Sequence, residues 1–200
     1  MLNKLSIFNH PGFLKIEENI WVINNFTTDS EIESYINYAE LVEEEEWWKE
    51  NNGWYKGKYL NVAGDPSLSK ISNNIIDRFK LFFDEPEFLN FGTPASIHRM
   101  LAGQEMFVHA DFPEADYHDD YLLFNTAIYH NRVDGGEIFY PELGLEYHPF
   151  AGDLVIHPGT TKYRHGVKPV TGDTTRYIST LWVSDTNGES IKRSGYMEND

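Results

Sequence analysis

Residues 122–157 read LLFNTAIYHNRVDGGEIFYPELGLEYHPFAGDLVIH, and this stretch decides the expected fold. Short segments rich in Val, Ile, Leu, Tyr, Phe and Thr, at 122–130, 136–140, 145–148 and 153–157, alternate with Gly, Pro, Asn and Asp. This spacing is typical of β-strands that are joined by turns. Because no intervening segment is long enough for a helix, we expect the strands to be antiparallel.

The same pattern continues on both sides of this stretch. Further strands are predicted at 96–101, 106–110, 163–170 and 175–183, which brings the total to about eight. A run of short strands without a helix-length interruption is typical of an antiparallel sandwich or barrel. We therefore expect a β core of the jelly-roll type.

The N-terminal part has helical periodicity. Residues 13–26 are predicted to be extended, and Thr28 or Asp29 is the expected N-cap of a helix over 30–48. A second helix is predicted over about 66–83, because its apolar residues recur at spacings of three and four.

Together these elements predict one domain over residues 1–200. It has a helical support at about 27–83, a β core at about 96–184 and a polar tail at 185–200. The fold class is thus mainly β with flanking α, with N-terminal helices packed against a double sheet.

The composition excludes several classes of function. The chain of 200 residues has no cysteine and a formal net charge of -16. Disulfides, thiolate catalysis and cysteine-ligated metals are therefore excluded, and the negative charge predicts no affinity for nucleic acid. The acidic surface either attracts a basic protein or peptide or only keeps the protein soluble. We expect a cytoplasmic protein without a membrane partner, since no signal peptide or apolar run of transmembrane length is found.

Two His-x-Asp pairs are candidates for metal ligation, because residues i and i+2 of a strand point to the same side. His109 and Asp111 follow a predicted strand in GQEMFVHADF, whereas His118 and Asp120 lie in the charged, turn-like run YHDDY. We therefore favour the first pair. Two imidazoles and one carboxylate on one face of a metal leave three open positions, as non-haem iron(II) oxygenases require.

The third ligand must come from a distant strand. His148, His157 and His165 are all available for this position. His157 precedes Pro158-Gly159, so it also fits a structural position at the end of a strand.

An arginine accompanies the last of these histidines. The segment that begins at His165, HGVKPVTGDTTRYISTLW, predicts a hairpin that turns at Gly172-Asp173. In this hairpin Arg176 lies opposite Pro169, about 13 Å along the strand from His165. An arginine that reaches back, together with a five-carbon dicarboxylate, roughly fills this distance, and Arg suits a bidentate contact with a carboxylate.

Several stretches from about residue 96 to residue 183 resemble 2-oxoglutarate oxygenases of the prolyl 4-hydroxylase type, including small microbial and phage-encoded members. The matching stretches occur in the family's order over nearly half of the chain: GQEMFVHADF, TAIYHNRVDGGEIFYPELG, FAGDLVIHPG, HGVKPV and RYISTLW. The resemblance implies a double-stranded β-helix, which is a cupin-like jelly roll, supported by helices. It also implies that His109, Asp111 and His165 bind Fe(II), with 2-oxoglutarate and O2 as cosubstrates and ascorbate as a further candidate.

The resemblance also implies a site for the cosubstrate. Arg176 matches the basic residue that pairs with the distal carboxylate of 2-oxoglutarate, and Tyr129 matches a tyrosine whose hydroxyl often joins it. Trp182 matches an aromatic residue near the cosubstrate and substrate. For Tyr129 and Trp182, packing in the core is the alternative interpretation. On position alone, the loops at 55–59 and 112–121 are candidates for a lid.

The implied activity is hydroxylation of an unactivated C–H bond, with a prolyl residue of a protein or peptide as the leading substrate. Departures from the family pattern at Met106, Leu122 and Leu123 leave a free amino acid or another small molecule as an alternative. A non-catalytic jelly-roll module that binds a sugar or another ligand and a metal-binding cupin without 2-oxoglutarate are further alternatives. A buried strand arginine argues against the last two, because it requires an anionic partner.

Overall fold

We describe the protein from a computed structural model. The residues that the structure describes are 13–17, 19–49, 55–83, 86, 89–92, 94, 96–112 and 122–185. The second His-x-Asp pair, most of the loop at 112–121 and residues 186–200 of the predicted tail lie outside these ranges.

Twelve strands form two antiparallel sheets within the described residues. The large sheet has the order β1-β2-β10-β7-β12-β5-β3, with β4 paired to β12, and the small sheet has the order β6-β11-β8-β9. The strands of the large sheet are β1 Phe13–Glu17, β2 Ile20–Ile23, β3 Lys58–Asn61, β4 Leu89–Phe91, β5 Ser96–Met100, β7 Leu122–Tyr129, β10 Leu154–His157 and β12 Arg176–Asp185. Those of the small sheet are β6 Met106–His109, β8 Ile138–Tyr140, β9 Leu145–Tyr147 and β11 His165–Val167.

The eight strands predicted for the β core correspond to β5–β12, and the jelly-roll prediction is confirmed. From β5 onward the chain passes back and forth between the sheets, and only β8 and β9 follow one another in the same sheet. Apart from the β8–β9 pair, the strands of this core therefore pair with strands that do not follow them directly in the chain, and the inner face of each sheet packs towards the other sheet.

The predicted hairpin between His165 and Arg176 is wrong. His165 in β11 pairs with His109 of β6, whereas Arg176 in β12 pairs with Met100 of β5. Residues 168–175 therefore cross from the small sheet to the large one. Turn residues such as Gly172 mark a change of chain direction, but they do not decide which strand the returning segment pairs with.

The two N-terminal helices begin as predicted but end earlier. Helix α1 spans Asp29–Leu41, and its N-cap Thr28 forms a capping box with Glu31. It stops short of the predicted end at residue 48 because the acidic run that follows opposes the helix dipole, and Glu44–Glu46 instead forms a short 3-10 turn. Helix α2 spans Pro66–Lys80, with Asp65 as N-cap.

The predicted extended segment at 13–26 is in fact a hairpin of β1 and β2. Leu14 pairs with Val22, and Asn19 at the turn has a φ of 61°. Asparagine tolerates this left-handed conformation better than most residues, and the turn contains no glycine that would have indicated it in the sequence.

Strand β7 shows how the large sheet separates the core from the site. Phe124 and Ile128 point towards the helices, in a buried cluster that includes Tyr35 of α1 and Phe79 of α2. Asn125, Ala127 and Tyr129 alternate with them and line a pocket on the opposite face, between the two sheets. Among the described residues, no helix has both the length and the apolar character needed to cross a membrane.

Candidate functional site

His109, Asp111 and His165 come together at one end of this pocket. His109 ends β6 and is the direct cross-strand partner of His165, the first residue of β11, and their ring centroids lie 4.6 Å apart. Asp111 follows His109 by two residues. One ligand atom from each of the three side chains lies within 4.8 Å of the others, so the three residues could hold a metal ion.

Backbone carbonyls orient both imidazoles towards Asp111. The Nδ1 atom of His109 lies 3.0 Å from the carbonyl oxygen of Phe107, and the Nδ1 atom of His165 lies 3.2 Å from that of Tyr163. Since a carbonyl oxygen only accepts hydrogen bonds, Nδ1 carries the proton in each ring. The Nε2 lone pairs are thereby directed to the site, where they lie 3.4 Å and 3.9 Å from the carboxylate oxygens of Asp111. A ligating histidine is oriented in this way in most metal sites.

The charge states also suit a divalent metal ion. Burial lowers the pKa of His165 to about 3, and this effect outweighs the opposite influence of the Asp111 carboxylate. Burial would raise the pKa of Asp111, but the neighbouring imidazoles, that of His165 foremost, hold it well below its usual range. At neutral pH the site therefore offers a neutral imidazole from His165 and an ionised carboxylate, which are the protonation states that metal binding requires.

The other two candidates for the third ligand have different positions. His157 is buried beside the site, with its ring centroid 4.3 Å from that of His165 and its Nδ1 atom 4.0 Å from Asp111 Oδ2. The same Nδ1 lies 3.2 Å from the carbonyl oxygen of Pro158, so this nitrogen is occupied as a donor. His148 binds the carbonyl oxygen of Val133 through Nε2 at 2.8 Å and is not part of the group.

Arg176 lies in the same pocket and is almost fully buried, with 3% of its surface exposed. Its Nη1 atom donates to Met100 Sδ at 3.4 Å, and its guanidinium lies 5.1 Å from the centre of the Tyr129 ring. The Nη2 atom is buried without a hydrogen-bond partner among the described residues. A buried guanidinium with an unpaired N–H group is costly, so this arrangement favours an anionic ligand.

Tyr129 and Trp182 both line the pocket. Burial raises the pKa of the Tyr129 hydroxyl, although the hydrogen bond and charge of Arg176 act in the opposite direction. Trp182 pairs in register with Asn125 and makes an edge-to-face contact with Phe112 at 4.8 Å between ring centroids. Arg176 and Trp182 are six residues apart in β12 and therefore lie on the same face of the sheet.

Two further polar residues of the pocket were not found from the sequence. His98 lies beside Arg176 in the inner row of the large sheet, and burial together with the Arg176 charge lowers its pKa to about 4. Asn125 donates from Nδ2 to Asp111 Oδ2 at 2.9 Å. Neither residue belongs to a motif, and each has a polar neighbour in its strand, Arg99 beside His98 and Thr126 beside Asn125, so alternation with apolar residues did not single them out.

Tyr55, at the start of the segment 55–59 that was a candidate for a lid, lies in the wall of the pocket. Tyr55 is 4% exposed, and its hydroxyl donates to the carbonyl oxygen of Arg99 at 3.0 Å. Tyr59 belongs to β3 and pairs with His98. The backbone between them lies close to β5, because a Cβ added at Gly57 would lie 2.2 Å from the Arg99 carbonyl oxygen.

The pocket thus contains both a possible metal site and the buried guanidinium of Arg176, whose Nη2 atom has no hydrogen-bond partner among the described residues. It lies between the sheets and is lined by residues of both: Tyr55, His98, Met106, His109, Asp111, Asn125, Ala127, Tyr129, Ile138, His157, His165, Val167, Arg176, Ile178, Thr180 and Trp182. Asp111 and Arg176 carry the charges of opposite sign in this lining.

Residues 95–184 match the family described as the 2OG-Fe(II) oxygenase superfamily. This match confirms the resemblance that the sequence motifs predicted, and with it the prediction of an enzyme of the 2-oxoglutarate-dependent dioxygenase class. No curated protein matches the chain.

Solved structures with the same fold include three prolyl hydroxylases. A viral collagen prolyl hydroxylase from Paramecium bursaria Chlorella virus-1, solved as a 2-oxoglutarate complex, is 16% identical, with a TM-score of 0.63 over 84% of this chain and 97% of that chain. A prolyl-4-hydroxylase from Pseudomonas putida is 17% identical, with a TM-score of 0.63 over 84% and 92%. A prolyl hydroxylase from Trichoplax adhaerens, solved with a peptide fragment of the hypoxia inducible factor oxygen degradation domain, is 18% identical, with a TM-score of 0.60 over 93% and 90%. At these identities the likeness shows the shared fold.

Proposed function

We propose, from the match of residues 95–184 to the 2OG-Fe(II) oxygenase superfamily, that this protein hydroxylates an unactivated C–H bond with His109, Asp111 and His165 as the iron ligands. In this proposal Arg176 and Tyr129 bind the distal carboxylate of 2-oxoglutarate. The leading substrate is a prolyl residue of a protein or peptide.

The observation that carries the cosubstrate assignment is the buried Nη2 atom of Arg176, which has no hydrogen-bond partner among the described residues. The alternative of a structural arginine is disfavoured, because a structural guanidinium would satisfy its buried donors within the protein. A dicarboxylate supplies both the missing acceptor and the missing negative charge. A neutral sugar bound to a jelly-roll module could accept the hydrogen bond through a hydroxyl group, but it would not supply the negative charge.

The donor set also fits Fe(II). The ligands would be two imidazoles, each with Nδ1 bound to a backbone carbonyl, and one carboxylate. When bound, Fe(II) and 2-oxoglutarate supply the oxidising chemistry, in which O2 is consumed, 2-oxoglutarate is converted to succinate and CO2, and one oxygen atom is inserted into the substrate C–H bond.

The residues of the chain have three tasks in this reaction. The backbone carbonyls of Phe107 and Tyr163 keep the two imidazole ligands in a fixed orientation. Arg176 and the Tyr129 hydroxyl orient the cosubstrate from the other end of the pocket. The apolar wall that includes Ile138, Val167 and Ile178 excludes water from the space between them.

The prolyl substrate is supported by the fold that the chain shares with prolyl hydroxylases, one of them solved with a peptide. Met106, at a position where relatives often carry tyrosine, lies in the pocket lining and could alter the fit of a substrate. A free amino acid or another small molecule is therefore the alternative substrate in the test below.

An anaerobic titration of the protein with Fe(II) and 2-oxoglutarate tests the site. We expect the weak visible charge-transfer band of the chelate in the wild type. His165→Ala should abolish the band, whereas His148→Ala should retain it, because His148 lies outside the ligand group. Arg176→Met should require a much higher concentration of 2-oxoglutarate, and Lys168→Met, which removes a cation that pairs with Glu146, is the matched control.

Absence of the band at saturating Fe(II) and 2-oxoglutarate would contradict the metal and cosubstrate assignments. A band that survives His165→Ala but not His157→Ala would move the third ligand to His157.

The substrate is tested by succinate formation with proline-containing peptides, with the same peptides carrying alanine instead of proline, and with free proline. We expect turnover and a mass gain of one oxygen atom with the proline peptides alone. Parallel reactions with and without ascorbate test the predicted reductant. Turnover with free proline but not with peptides would replace the peptide substrate by the small-molecule alternative.

A further inference from the structure

Asn125 lines the pocket from the large sheet and contacts Asp111 directly. It is 6% exposed, and its Nδ2 atom donates to Asp111 Oδ2 at 2.9 Å. In the large sheet it pairs with His157 of β10 on one side and with Trp182 of β12 on the other. The surrounding strands therefore hold the amide in place.

The direction of this hydrogen bond is fixed by chemistry. An ionised carboxylate only accepts hydrogen bonds, so the NH2 group of Asn125 must face Asp111. The amide oxygen Oδ1 then points away, and it is buried without a hydrogen-bond partner among the described residues. A buried acceptor that is left unpaired in the interior of a strand does not favour folding. The amide is therefore better explained by its contact with Asp111 than by a contribution to stability.

We propose that Asn125 is a positioning residue that holds the Asp111 carboxylate in a single orientation, with one oxygen engaged by the amide and the other left for the metal. This inference rests on the proposed function. A carboxylate that turned both oxygens to the metal would occupy one more coordination position. The amide thus protects the open positions that the cosubstrate and O2 require.

The neighbouring residue in the same strand provides a matched control. Thr126 is fully buried, points to the opposite face of the sheet, and donates from Oγ1 to the carbonyl oxygen of Leu181 at 2.8 Å. Thr126→Val removes one buried side-chain hydrogen bond from β7 without touching the pocket. Asn125→Leu removes the hydrogen bond to Asp111 on the pocket face of the same strand, and leucine has a shape similar to that of asparagine.

The test is a Co(II) titration of the wild type, Asn125→Leu, Asn125→Ala and Thr126→Val, followed by absorption in the visible region. Substitution of a residue that hydrogen-bonds to a metal ligand typically lowers the metal affinity by about 10–100-fold. We therefore expect both Asn125 variants to bind Co(II) about 10–100-fold more weakly than the wild type. We also expect a change in the shape and intensity of the Co(II) bands, since these report the coordination number. Thr126→Val should keep the wild-type affinity and spectrum. The Tm of each metal-free variant shows whether the fold is retained, and Asn125→Ala replaces Asn125→Leu if the leucine does not fit.

The outcomes separate this inference from the proposed function. If the wild type binds Co(II), loses it on His165→Ala, and yet both Asn125 variants bind within twofold of the wild type with the same spectrum, Asn125 is not a positioning residue. A positioning role is equally refuted if Thr126→Val weakens Co(II) binding as much as the Asn125 variants do. If the wild type itself does not bind Co(II) in a His165-dependent way, the metal assignment fails first.

Discussion

Replacing Gly136 by alanine tests whether the position of Arg176 depends on the turn that packs against it. Gly136 has a φ of 70°, and a Cβ added there would lie 3.0 Å from Val133 Cγ2 and 3.1 Å from Arg176 Cδ. Carbon atoms in contact prefer about 3.5–4.0 Å, so the Arg176 side chain must move by about half an ångström. We expect this shift to misplace the guanidinium relative to the cosubstrate.

The size of the effect follows from two contributions. Alanine in the left-handed region costs about 1–2 kcal/mol of folding stability. If the shifted guanidinium loses about 1–2 kcal/mol of its charge-assisted hydrogen bonding, 2-oxoglutarate affinity falls by about 5–30-fold. The two contributions are separable, because only the second depends on Arg176.

Gly144→Ala is the matched control. Gly144 has a φ of 62°, but an added Cβ would meet nothing within 4 Å. Both variants should lose about 1–2 kcal/mol of stability in urea unfolding through the left-handed backbone, and Gly136→Ala should lose more because of its close contacts. Only Gly136→Ala should raise the 2-oxoglutarate concentration needed for the charge-transfer band. Equal 2-oxoglutarate affinity in the two variants would refute the reasoning.

Three further predictions concern the hydroxyl beside Arg176, a buried histidine and the helix pair. Tyr129→Phe should weaken 2-oxoglutarate binding by about 3–10-fold in the same titration, because one hydrogen bond of about 1 kcal/mol is lost. Unchanged binding would mean that Arg176 binds the distal carboxylate without Tyr129. Burial lowers the pKa of His130 to about 3, so between about pH 6.5 and pH 3 the unfolded state binds one more proton at this residue than the folded state. The free energy of unfolding should therefore fall with decreasing pH in this range. In urea unfolding, His130→Phe should reduce the slope of this free energy against pH by about 1.4 kcal/mol per pH unit. Equal slopes in the wild type and the variant would contradict the lowered pKa of His130. Glu31→Gln should cost about 1–3 kcal/mol of stability, since Arg78 donates to both Glu31 carboxylate oxygens at 2.7 Å and 3.0 Å. A change in 2-oxoglutarate affinity in this variant would count against a purely structural role of the ion pair.

The strands and the local geometry of the candidate ligand pair His109 and Asp111 could be predicted from the sequence. Strands β5–β12 lie close to the predicted positions because alternating apolar residues and turn residues are local signals. The His109-Ala-Asp111 spacing likewise indicates two ligands on one side of a strand end. The sequence also indicated Thr28 or Asp29 as the N-cap of α1, and the structure has Thr28 in this position, with a capping box that lies within four residues.

Strand pairing and the surroundings of the site were decided only by the tertiary structure. The hairpin expected between His165 and Arg176 is a crossover between sheets, because pairing depends on strands far away in sequence. The same long-range pairing determines which of the three distal histidines lies close to His109 and Asp111. It also determines the contact of Asn125 with Asp111 and the place of His98 beside Arg176. A side chain's face within its strand is a local property, but the partner that it meets across the sheet is set by the packing of the whole domain.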